Sequence, residues 1–137
     1  MTLEYEIEGG DFTKAGLASS AVKKVLKQLN LAPAHIKRIA VAMYEAEVNI
    51  VAHAFRGKMT VDINAEKIHL KFEDEGPGIE NIDKAMEEGY STASEEVRQM
   101  GFGAGMGLPN MKKNVDDMKV SSIPGKGTTV ELTANIK

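Results

Sequence analysis

Every candidate strand in this chain alternates apolar with polar residues, and that pattern restricts the fold more than any other feature of the sequence. Leu3, Tyr5 and Ile7 fall on one side of residues 2–8, with Thr2, Glu4, Glu6 and Glu8 on the other. Met59, Val61 and Ile63 alternate with Thr60, Asp62 and Asn64; after a short turn, Ile68, Leu70 and Phe72 alternate with Lys67, His69, Lys71 and Glu73. This pair reads as a hairpin with one wet face. Two further strands are expected near 118–123 and 128–136, joined by the turn Pro124-Gly125-Lys126-Gly127. A doubly wound parallel sheet is buried on both faces and needs continuous apolar strands. Such runs are missing, and no Gly-x4-Gly-Lys-Ser/Thr occurs, so Rossmann and P-loop arrangements are disfavoured.

A sheet wet on one face needs helices on the other. Asp11 is a candidate N-cap, and Ala15, Ser19, Val22, Leu26 and Leu29 recur at helical spacing, which predicts a first helix over 12–30. Pro33 opens a second helix at a position that tolerates a missing N–H, and Gly57 is expected to close it. Shorter helices are expected over 81–88 and 107–117. The expected class is α+β: a two-layer α/β sandwich with a mixed, mostly antiparallel sheet and helices on one face. At 137 residues, residues 1–137 form a single domain.

Composition removes several functions. A net charge of −3 and a pI near 5.6 do not suit a protein that neutralises many nucleic-acid phosphates. With no cysteine, disulfides, thiolate chemistry and Cys-based zinc sites are excluded. No signal-like N-terminus and no apolar run of about 20 residues is present, so the expectation is a cytoplasmic protein without a membrane partner.

Four short motifs then follow in order: Glu45-x3-Asn49, Asp74-x-Gly76-x-Gly78, glycines at Gly101, Gly103, Gly105 and Gly107, and Gly125-x-Gly127-Thr128. Alone, a glycine pair is usually a turn and a Glu/Asn pair a solvated helix face. In this order they describe an ATP site. Alternate glycines let backbone approach phosphates closely, and a carboxylate and an amide one helical turn apart suit a base and a metal ligand. Projection of the second helix places Ile36, Ala40, Met43, Ile50 and Ala54 on one side, and Glu45, Asn49 and His53 opposite, flanked by Ala42 and Ala52. Glu47 projects into the apolar side. Pairing with Lys23 or Lys27 of the first helix, or a rotated helix, are the two explanations considered.

The stretches YEAEVNIVAHAF, EDEGPGI, GFGAGMGL and GKGTTV resemble the N box and three glycine boxes of the GHKL ATPase superfamily over nearly the whole chain. Among its members the likeness is to the small bacterial serine kinases and anti-sigma factors of partner switching, the stressosome switch kinase in particular. The resemblance implies ATP and Mg²⁺ as cofactors. It casts Glu45 as general base, Asn49 as Mg²⁺ ligand, Asp74 as acceptor for the adenine amino group, and Thr128 as partner in a water-mediated contact to the ring. Gly76 and Gly78 would leave room for the base; Gly103, Gly105, Gly107 and Leu108 would lie along the phosphates. Residues about 89–107 would be a lid, with Arg98 reaching a phosphate or a partner, or simply exposed. His53 would touch a phosphate, orient a ligand, or merely pack. Glu47 and Val48 depart from the kinase pattern, which has a small residue and an arginine there.

The resemblance further implies a serine/threonine protein kinase acting on a STAS-domain regulator, as monomer or homodimer. The alternative is an anti-sigma or binding module, engaging a STAS protein or a sigma factor without physiological phosphotransfer. A detached histidine-kinase catalytic domain is disfavoured, because no dimerising hairpin with a phosphoacceptor histidine is present.

Overall fold

The computed structural model describes residues 1–87 and 107–136. Its strands are β1 (Thr2–Glu8), β2 (Arg56–Ile63), β3 (Lys67–Glu75), β4 (Asp117–Ile123) and β5 (Gly127–Asn135). They form one sheet in the order β1-β2-β3-β5-β4, and every pairing is antiparallel, so the expected parallel component is absent among the described residues. Register explains the alternation. Tyr5, Met59, Phe72, Val130 and Val120 line up across all five strands, as do Leu3, Val61, Leu70, Leu132 and Met118. Between these apolar rows lies Glu4, Thr60, Lys71, Glu131 and Lys119, a polar row on the opposite face. A slip of one residue would exchange the faces, so the pattern itself fixes the pairing.

The helices are α1 (Leu17–Gln28), α2 (Pro33–His53), α3 (Ile82–Ala85) and α4 (Gly107–Asn114). The first departs from expectation. Gly16 at φ +94° divides the predicted helix 12–30, leaving a 3-10 turn at Phe12–Lys14 ahead of α1. Asp11 does cap, but it caps that turn, accepting from Thr13 N at 3.2 Å. Gly57 does not close α2 either. The helix ends at His53, and Gly57 lies within β2, opposite Ile7 and Asp74, where a side chain would meet Ile50.

Helix α2 is covered on two sides, packing against the sheet, where Ile50 reaches Gly57, and against α4; Met43 and Ala42, the latter beside the polar stripe, are fully buried, as are Leu108 and Met111 of α4 in the same core. Each large side chain buried here stabilises by about 1.5–3 kcal/mol. Met111 is fully buried, and Met86 and Met118 pack partly buried against the core, which fits gap-filling better than an exposed docking surface.

Glu47 resolves differently from both expectations. It is only 2% exposed, yet among the described residues no lysine pairs with it. Its carboxylate accepts from Gly16 N (2.9 Å), Ala18 N (3.3 Å), Ser19 N (2.8 Å) and Ser19 Oγ (2.6 Å), the open amides at the start of α1. Gly16 has no side chain with which to cap α1, and the cap comes instead from α2.

Candidate active site

Packing sets Gly107 against the Glu45–Asn49 face of α2, and the Asp74 motif against the C-terminal end of that helix. Glu45 and Asn49 stand one turn apart and half-buried on the face toward α4. The first residue of α4 is Gly107, and a β-carbon placed there would lie 3.7 Å from Glu45 Oε2 and 4.0 Å from Asn49 Oδ1. Glycine thus leaves a small gap between an acidic-amide ridge and the N-terminus of a helix, where backbone N–H groups are unpaired by helix geometry and attract anions. Leu108 N–H lies in the same first turn; its side chain is buried in the core, so only its backbone is offered to a ligand. Pro109 follows, where a missing donor costs little.

Asp74 sits near the end of β3. Its Oδ1 accepts from Thr128 N at 3.0 Å. Burial pushes its pKa above the ordinary aspartate value, and the Thr128 bond opposes part of that shift. Thr128 is buried, and its hydroxyl shares a 3.0 Å hydrogen bond with Ser122 Oγ. Ser122 also accepts from Ile79 N at 2.7 Å, which ties the segment after Gly78 to the β4–β5 hairpin. The two glycines have structural reasons of their own. A β-carbon at Gly76 would come within 2.9 Å of Ala54 Cα, and Gly78, at φ +76°, would put one 2.6 Å from Ile123 O. The first contact abuts the end of α2, where Phe55 N donates to Glu75 O at 2.8 Å. The Asp74 motif is thereby joined to the C-terminal end of the helix that carries Glu45 and Asn49.

His53 lies on the same ridge, one turn past Asn49. Burial lowers its pKa, so near neutral pH the ring is uncharged and has no electrostatic attraction for a phosphate. His35 stands beside Arg38, and His69 Nε2 lies 3.5 Å from Glu131 Oε1 on the wet face, both away from the ridge. Gly101, Gly103, Gly105, Arg98 and the lid at 89–106 lie outside the described residues. Asn110 and Ser122 went unnoticed in the sequence. Asn110 Nδ2 donates to Glu45 Oε1 at 3.3 Å from α4; its one signal was a polar side chain in the first turn of a helix that leaves the glycine run.

The donor set suits a particular kind of cation. Among the described residues no cluster of three His, Asp or Glu side chains could hold a metal ion unaided. One amide oxygen beside one carboxylate suits Mg²⁺, which keeps several waters and takes most remaining ligands from phosphate oxygens. Among the described residues, no helix is long and apolar enough to cross a membrane.

An anti-sigma F factor of Thermoanaerobacter sp. (strain X514) is 36% identical over 124 residues, covering 87% of this chain and 83% of that protein. The serine/threonine-protein kinase RsbT of Bacillus subtilis (strain 168) is 32% identical over 113 residues, covering 80% and 79%. Among solved structures, the RsbU and RsbW domains of Rv1364c from Mycobacterium tuberculosis superpose with a TM-score of 0.65 at 14% identity, over 98% of this chain and 32% of that one. The SiaB–SiaC complex of Pseudomonas aeruginosa gives 0.63 at 13% identity, over 98% and 89%. The pattern of the histidine kinase-like ATPase domain matches residues 11–134, and the chain belongs to that family, in the group that holds the anti-sigma factors and serine/threonine kinases.

Proposed function

We propose that this chain binds ATP with Mg²⁺ and is a serine/threonine protein kinase whose substrate is a STAS-type regulatory protein in a partner-switching pathway. The observation that carries the reading is the Glu45–Asn49 pair facing Gly107 across a gap that a single methyl group would fill. When bound, ATP supplies the γ-phosphoryl group, and Mg²⁺ offsets charge on the phosphate oxygens. The protein's own residues position and deprotonate. Glu45 takes the proton of the acceptor hydroxyl, with Asn110 holding one carboxylate oxygen and leaving the other open. Asn49 offers Oδ1 to the metal. Gly107 and Leu108 offer backbone N–H groups to phosphate oxygens, with Gly103 and Gly105 preceding them in the chain. Asp74 accepts from an exocyclic amino group at the purine six-position, which favours adenine over guanine with its carbonyl there. Thr128 holds that carboxylate in place through its backbone N–H.

A second reading is supported by the names of the relatives, several of which are anti-sigma F factors. In that reading nucleotide sets partner affinity, and sequestration of a sigma factor or STAS protein is the output. One experiment separates them. The protein is incubated with labelled ATP, Mg²⁺ and STAS proteins encoded by neighbouring genes, beside Glu45→Ala. Transfer to a STAS serine or threonine that disappears in Glu45→Ala while ATP binding persists supports the kinase. A stable complex without transfer supports the binding module.

A further inference from the structure

Glu45 lines a second concavity. Along the outer side of the α1–α2 pair runs a groove of about 600 Å³, and Glu45 is its last residue on α2. Ile36, Ala40, Val41 and Tyr44 form its apolar wall, one stripe of α2 at helical spacing. Val41 and Tyr44 are 37% and 43% exposed, on a face that no described element covers. The rim is cationic. Lys23 and Lys27 reach it from α1 and Lys37 from α2; all three are exposed, and none forms an ion pair among the described residues. Three unpaired positive charges therefore edge an apolar wall on a chain whose net charge is −3.

We propose that this groove docks an acidic, hydroxyl-bearing segment of the protein substrate and leads its serine or threonine to Glu45. The inference rests on the kinase reading for the identity of the hydroxyl's target, but the docking chemistry is set by the groove alone. From Pro33 to Glu45 the wall rises about 18 Å, which spans roughly five residues of extended chain. An aliphatic side chain would cover Val41 and Tyr44, while carboxylates on either side meet Lys23, Lys27 and Lys37. A basic segment would be repelled by the same lysines, so charge acts here as selection.

The test uses the full chain and fluorescent peptides of about ten residues, each with one serine and one leucine, flanked by glutamates or by lysines. Anisotropy should show binding of the acidic set alone, weakening as salt is raised. In K23E/K27E/K37E the acidic peptides should bind about tenfold more weakly, since each exposed pair contributes little and three act together. Preference should move to the lysine-flanked set. Val41→Asn, which interrupts the apolar wall and leaves the three lysines and their charge in place, should weaken binding of the acidic set. Circular dichroism confirms folding, and binding of a fluorescent ATP analogue should be unchanged in these variants. Binding that ignores flank charge, an acidic preference that survives the triple reversal, capture only of phosphatidylserine vesicles, or no peptide binding would each overturn the proposal. Failure of the wild type to bind the ATP analogue would instead remove the kinase reading, and peptide selection would still stand or fall on its own titration.

Discussion

Glu47→Gln is the sharpest test of how this fold is held together. The substitution keeps the shape of the side chain and replaces one acceptor oxygen with an amide NH₂. In the native structure one oxygen accepts from Gly16 N and Ala18 N, the other from Ser19 N and Ser19 Oγ. A glutamine can satisfy only one of these pairs; its NH₂ would face either the Gly16 and Ala18 N–H groups or, flipped, the Ser19 N–H and a hydroxyl able to turn and accept, so at least one buried N–H loses its acceptor. Each buried N–H without an acceptor costs about 1–3 kcal/mol, and charge-assisted bonds at a helix N-terminus are weakened as well. A loss of roughly 2–4 kcal/mol follows. At about 2.1 cal/mol/K per residue of unfolding entropy, each kcal/mol lowers Tm by about 3.5 °C in a chain of this size. Glu47→Gln should therefore melt about 7–14 °C lower, with a matching fall in the urea midpoint at unchanged m-value. Ser19→Ala removes one donor and leaves the carboxylate three; it should cost only about 1 kcal/mol. Hydrogen exchange at Gly16, Ala18 and Ser19 should accelerate in the glutamine variant before exchange in the sheet does. A Glu47→Gln protein within about 0.5 kcal/mol of wild type would refute the cap.

Three other substitutions address the site and its surroundings. Asp74→Asn should weaken ATP binding about tenfold or more by calorimetry, through loss of a charged acceptor, yet stabilise the nucleotide-free protein at pH 7. Burial raises the folded-state pKa of Asp74, so its favourable contribution is complete below the ordinary value of 3.8 and lost as pH rises through the folded value; urea titrations across that window should lose this dependence in the asparagine variant. Gly107→Ala places a methyl group 3.7 Å from Glu45 Oε2, an ordinary contact, so stability should hold or rise by about 0.5 kcal/mol while nucleotide affinity falls about tenfold; equal affinity would show that the gap holds no ligand. Arg38→Ala should cost about 1–2 kcal/mol, because Arg38 meets Asp116 at 3.0 Å and the carbonyls of Asn114 and Asn135. The Asn135 N–H first, and Arg38 after it, hold the pKa of Asp116 below its ordinary value, so the Asp116 part of this stabilisation is present above 3.8 and lost as pH falls through the lower folded value; the gap between the thermal melts of wild type and variant should narrow there to what the two carbonyl bonds supply.

The sheet was legible because its information is local. Strand alternation has period two, and the matched rows through Phe72 and Leu70 follow from it directly. Helix boundaries were less legible wherever a glycine served tertiary structure. Gly16 and Gly57 carry the same letter, but one breaks a helix with a positive φ and the other admits Ile50 to a strand. Periodicity cannot tell these apart, since the deciding contact is far away in sequence. Projection of α2 found the stripe but not what covers it: Ala42, beside that stripe, is fully buried, because a helix with two packed sides has no single apolar face and the second side depends on α4, sixty-odd residues later. Within the site, the glycines and Glu45 stood out because their types are unusual for their elements. Asn110 and Ser122 did not, being ordinary polar residues whose significance comes only from what they touch.

Two carboxylates on α2 show how such a distinction becomes physical. Glu45 and Glu47 are two residues apart, about 200° around the helix, and so face opposite neighbours. Glu47 accepts four hydrogen bonds from α1, so its strong acceptor positions are used in folding. Among the described residues Glu45 accepts one, at 3.3 Å, and its second oxygen faces the gap at Gly107. An ionised carboxylate offers about four lone-pair positions. Where the native contacts fill them, the group has nothing left for a substrate, and its replacement should register in stability. Where they stay open in a half-buried place beside a helix N-terminus, the fold keeps a desolvated acceptor without using it, and replacement should register in function. Glu45→Gln should therefore leave the urea midpoint within about 0.5 kcal/mol of wild type and abolish transfer. If Glu45→Gln were as destabilising as Glu47→Gln, the assignment of one carboxylate to folding and the other to chemistry would be wrong.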